Sequence, residues 1–110
     1  MVRLGLIWLA RLGADPAKLA VAYMSYRDTY AEHVHGAVAE ILGEHHRRIP
    51  DNQLKTLIEK GIAMSGSVPT RRKFYRLGTE LFGSEYLERA TSDSANSVRQ
   101  WAAKQLQKQI

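Results

Sequence analysis

The sequence predicts an all-α fold: a small bundle of about five to six helices, with one long helix over about residues 16–48. Three observations predict it. Apolar residues recur at three- and four-residue steps through most of the chain. Start and stop residues such as Asp15-Pro16, Pro50-Asp51, Pro69 and Gly83 punctuate those runs. Beyond the N-terminus, no segment alternates apolar and polar residues with the period of a strand. A chain of 110 residues without repeats or linkers makes one domain, residues 1–110.

The first element is the most ambiguous. In "VRLGLIWLARL" the even positions Val2, Leu4, Leu6, Trp8, Ala10 and Leu12 are all apolar, as in a strand. Ile7 and Leu9 are apolar too, and no second strand exists to pair with except one from another copy of the chain. A helix that is apolar all round is the favoured reading. The run is too short to span a bilayer. It has the outline of a stunted signal peptide, but Arg11 follows its apolar core directly, so retention is expected.

Asp15 and Pro16 in "ADPAK" open the next helix, Asp15 as cap and Pro16 where its missing N–H costs nothing. From there Leu19, Tyr23, Tyr26, Tyr30, Val34, Ala37, Ile41 and His45 keep helical spacing until Pro50. That is one helix of about 33 residues and about 50 Å, or two helices bent near Gly36. Asp51 caps the following helix, whose stripe is Leu54, Leu57, Ile58 and Ile62 and whose end is Gly66. "PTRRKFYRLGTELF" makes a helix from about Pro69 to Phe82, stopped at Gly83. Ser84 caps a short helix, "EYLERA", and the loop "TSDS" leads to the last helix, "SANSVRQWAAKQLQKQI".

Composition narrows the function. The chain has no cysteine, which excludes disulfides, thiol catalysis and cysteine-based zinc sites and fits a cytoplasmic location. Net charge is +5 and the isoelectric point about 9.7. Residues 1–50 hold six basic and five acidic side chains, residues 51–110 ten and six. A basic C-terminal half favours a polyanionic partner such as nucleic acid; its plain alternative is solubility.

Four stretches carry candidate chemistry. "EHVHGAVAEILGEHH" offers Glu32, His33, His35, Glu40, Glu44, His45 and His46, all metal-ligand types. On a helix these disperse, with His33 about 10 Å along the axis from Glu40, so no metal site is expected. The alternative is a solvated face with a Glu44–Arg48 pair, and His45 as a core histidine. "YMSYRDTYAEH" sets Arg27 among Tyr23, Tyr26 and Tyr30, more in keeping with an interface than with a ligand site.

"PTRRKFYR" puts Arg71, Arg72 and Lys73 at a helix start, where the macrodipole disfavours cations but free N–H groups welcome a phosphate. Arg72 and Arg76 fall opposite Phe74, Leu77 and Leu81, so the cations should be exposed. The alternative is a solvated charge cluster with an Arg76–Glu80 pair. In the last helix, Val98, Trp101, Ala102 and Leu106 form the apolar side and Asn96, Gln100 and Gln107 the far side, flanked by Arg99, Lys104 and Lys108. Asn and Gln can read adenine edges, and Arg can read guanine or grip phosphate. A short helix, a loop and this helix have the length of a helix-turn-helix, with Leu87, Val98 and Trp101 at its buried positions. Glu88 stands where a small residue normally packs and Asp93 where an apolar turn residue sits, so the match is partial and a bundle-closing helix is its rival.

No nucleophile–base pair, Gly-rich phosphate loop or His-Glu-x-x-His motif occurs, so no enzyme and no cofactor are expected. The expected function is a small nucleic-acid-binding or regulatory accessory protein, with Arg71, Arg72, Lys73 and Arg76 on phosphates and Asn96, Arg99, Gln100 and Lys104 in a groove. The alternative is a protein-interaction module, an adaptor or inhibitor acting through its helical surface. A homodimer is expected, because the apolar N-terminus and the tyrosine-bearing helix are more hydrophobic surface than a chain this size covers alone. No membrane partner is expected.

Overall fold

The computed structural model describes residues 2–24, 31–64 and 67–108. Among them every regular element is helical: α1 (Val2–Arg11), α2 (Pro16–Met24), α3 (Ala31–Glu44), a 3₁₀ turn (His46–Arg48), α4 (Asp51–Met64), α5 (Val68–Phe82), α6 (Glu85–Ala90) and α7 (Asn96–Lys108). The first element is thus a helix and not a strand. None of the described helices is long and apolar enough to cross a membrane.

Local chemistry sets most of the ends. The Asp15 carboxylate accepts from the backbone N–H of Ala17 at 2.9 Å and of Lys18 at 3.4 Å, and Pro16 opens α2. Ser67 accepts from Thr70 N–H at the start of α5, and Gly83 closes that helix at φ 102°. Two expected caps differ. Asp51 lies inside the first turn of α4, where the dipole favours its charge. Ser84 precedes α6 without a side-chain capping bond. Gly66 lies outside the described residues.

The single long helix over residues 16–48 is corrected. α2 and α3 pack side by side, which two stretches of one straight helix could not do. A helix of about 33 residues would be about 50 Å long, beyond the molecule's greatest dimension of 40 Å. The bend expected near Gly36 is also absent, because α3 runs through that residue. Tyr26, Arg27 and Tyr30 lie outside the described residues; Tyr23 is half-buried and packs against both parts of the core.

α3 is the axis of the bundle. Val34, Ala37 and Ile41 meet Leu6, Ile7 and Ala10 of α1 in one apolar cluster. Val38 and Leu42 meet the larger cluster, which collects Met24, Leu54, Ile58, Phe74, Leu87, Val98 and others from α2 and α4–α7. Two glycines permit close approaches beyond α3. A Cβ at Gly61 of α4 would run into the Phe74 ring, and one at Gly78 of α5 would lie 2.6 Å from the Tyr86 ring.

The histidine-bearing stretch is only in part the solvated face expected of it: His33 and Glu44 are exposed, but His35 is buried on α3. Glu44 does not pair with Arg48. It accepts two bonds from Arg11 of α1, at 2.8 and 3.2 Å. Arg48 instead donates to the carbonyls of Ala10 and Ala14, closing the C-terminal end of α1. Among the described residues no group of three ligand-type side chains converges.

Candidate nucleic-acid interface on α5 and α7

The C-terminal third forms a three-helix unit. α6 packs on α5, and α7 packs mainly on α6 with a smaller contact to α5. α7 fully buries only Val98 and Ala102. So narrow a stripe needs another source of order, and Asp93 supplies it.

The Asp93 carboxylate sits just before α7 and is 9 % exposed. It accepts from Arg71 Nε at 2.9 Å and Nη2 at 2.7 Å, a bidentate pair. The Tyr75 hydroxyl donates to it at 3.1 Å and the Ala95 N–H at 2.8 Å. Arg99 closes the ring from α7 by donating to the Asp93 carbonyl at 2.7 Å. Burial alone would raise the carboxyl's pKa, but the bonds from Arg71, Ala95 and Tyr75 outweigh it and hold the group below the usual carboxylate range. Burial and the adjacent Asp93 push the Tyr75 hydroxyl up, so it stays a donor. Two residues of α5, Arg71 and Tyr75, thereby fix the start of α7 through one carboxylate.

This arrangement sorts the eight residues expected to touch nucleic acid. Arg71 and Arg99 are committed to Asp93 and stand behind the surface. The cation at the start of α5 that the macrodipole disfavours therefore has a partner at close range. Arg72 is half-exposed, while Lys73, Arg76, Asn96, Gln100 and Lys104 are exposed. Arg76 does not pair with Glu80. Its guanidinium lies 5.8 Å from the centroid of the Trp101 ring on α7. Trp101, expected at a buried position, is half-buried. Arg76 thus joins the basic turn of α5 to the polar face of α7, a face without an acidic residue.

Two grooves flank Arg76. One, of 340 Å³, lies between α5, α6 and α7 and is lined by Arg76, Thr79, Glu80, Leu87, Trp101 and Gln105. The other, of 160 Å³, lies between α3 and α5, with Glu40 and Lys73 at its edge. Glu88, an obstacle to the helix-turn-helix pattern in sequence, is exposed and obstructs nothing; Leu87 and Ala90 fill the seam instead. Asp93 was the residue that sequence reasoning misjudged. Its presence in a turn where an apolar residue belongs was the available signal of a buried polar partner. The chain matches no protein-family model, no curated protein and no solved structure.

Proposed function

We propose that this is a small basic nucleic-acid-binding accessory protein, regulatory and not enzymatic, that uses α6 and α7 as a divergent helix-turn-helix. The Arg76–Trp101 contact carries the reading, because it sets a cation of α5 beside the acid-free α7. Arg72, Lys73, Arg76 and Lys104 grip phosphates, and Asn96 and Gln100 reach base edges. Arg71 and Arg99 act from behind, by holding Asp93 and so the angle of α7. A cysteine-free chain suits work in the cytoplasm. Fluorescence anisotropy with duplex DNA and with RNA at low salt tests the proposal. Binding that falls steeply with salt is the expected result, and no binding to either overturns it.

A second reading, a protein-interaction module, is favoured by one observation. Trp8 is 56 % exposed and Leu12 78 %, with Leu9 and Val21 also open to solvent. α1 buries Leu6, Ile7 and Ala10 and leaves an equally apolar outer face. In the nucleic-acid reading this face joins two copies, with the Arg11 guanidinium held 5.9 Å from the Trp8 ring centroid. Sedimentation should show a dimer that Leu12→Glu dissociates, and a monomer at high micromolar concentration would contradict it.

A further inference from the structure

We infer that the groove between α5, α6 and α7 is a guanine pocket, receiving one unstacked guanine from a single strand or loop. The inference rests on the nucleic-acid reading above and adds what that site selects.

Size comes first. At 340 Å³ the groove falls at the low end of the roughly 300–1,000 Å³ typical of small-molecule sites, room for one base and not for several. Its apolar lining is the buried Leu87 and the half-buried Trp101, whose ring also meets Arg76. Every base has a π-face, so the indole holds a base without choosing among the four. Selection must come from the polar rim.

That rim is rich in acceptors. Among the described residues no hydrogen bond or ion pair occupies the Glu80 carboxylate, although Arg76 lies one helical turn away. The Thr79 hydroxyl donates to the Tyr75 carbonyl at 2.8 Å, which leaves its oxygen to accept. Guanine presents two adjacent donors, N1–H and the N2 amino group, which a carboxylate takes side by side. Adenine and cytosine set one amino group next to a ring acceptor, whose lone pair would face the carboxylate. Uracil and thymine set one N–H between two carbonyls. Arg76, also a lining residue, supplies the opposite charge for the nucleotide's phosphate.

The chain has two tryptophans, so Trp8→Phe leaves Trp101 as the only indole reporter. Titrating that variant with GMP, AMP, CMP and UMP should give saturable quenching by GMP, about tenfold tighter than by the others. Adding Glu80→Gln should reduce the preference to about twofold or less, with the thermal midpoint unchanged because Glu80 is exposed. GMP that fails to quench at millimolar concentration, GMP that binds no better than UMP, or a preference that survives Glu80→Gln each overturns the pocket. A parallel anisotropy titration with G-containing and G-free single strands separates the two claims. Strand binding without guanine preference removes the pocket and leaves the nucleic-acid reading standing. GMP selectivity without strand binding upholds the pocket and removes that reading.

Discussion

Helices α1 and α7 are each attached along a single narrow stripe, but by different means. α1 rests on Leu6, Ile7 and Ala10, and its Arg11–Glu44 ion pair lies in solvent. α7 rests on Val98 and Ala102 and is pinned at its start by the buried Arg71–Asp93 pair. Apolar burial is non-directional, so α1, held mainly by area and closed at its C-terminal end by Arg48, can carry a second apolar face outward. Directional bonds to Asp93 fix where α7 begins, which suits a helix whose outer face must meet a partner in register. The attachment of each helix thus matches the chemistry of its free face.

The sharpest way to break the contrast is to remove the pin. Asp93→Ala removes the buried carboxylate that accepts from Arg71, Tyr75 and Ala95 at once and should cost about 3–5 kcal/mol in urea unfolding. The equivalent change at α1, Glu44→Gln, should leave the unfolding midpoint unmoved, because that pair is solvated.

Next are the close approaches that seat α5. Gly78→Ala places a methyl group against the Tyr86 ring and Gly61→Ala one against Phe74, where neither ring has room to retreat. Each should lower stability by about 1–3 kcal/mol in thermal unfolding. Trp101→Ala should cost about 2 kcal/mol, less than the roughly 3–5 of a fully buried aromatic, because the indole is half-buried.

Acid should separate the ends as well. The Asp93 carboxyl is held below its unfolded value near 3.9, so its stabilising contribution is complete above that value and is lost as pH falls through the lower folded one. Acid unfolding followed by circular dichroism should therefore lose part of its pH dependence below about pH 4 in Asp93→Asn. A wild-type-like acid limb in that variant would contradict the account of the pin.

These contrasts also show which features were legible in the residues. Caps and stops at Asp15, Pro16 and Gly83 act within a few residues, so they were readable one by one. The outward face of Arg72 and Arg76 followed from the helical period for the same reason. The long helix failed because no proline or glycine interrupts residues 17–35, while the packing of α2 on α3 is a tertiary event. Pairings failed alike: a local reading offers Glu44–Arg48 and Arg76–Glu80, whereas Arg11–Glu44 spans 33 residues and Arg71–Asp93 spans 22. Gly61 and Gly78 give no local signal of their role, because the rings that pack on them come from other helices.

The central claim is that Arg72 and Arg76 contact phosphates while Arg71 serves the fold. Anisotropy titrations over a series of salt concentrations test it directly, comparing the wild type with the Arg72→Ala, Arg76→Ala double variant. The account predicts an unchanged circular dichroism spectrum, weaker binding to every duplex sequence, and a slope of log K against log salt reduced by about 1.8, or about 0.9 per lost contact. An unchanged slope, or a wild type that binds no nucleic acid at low salt, would contradict it.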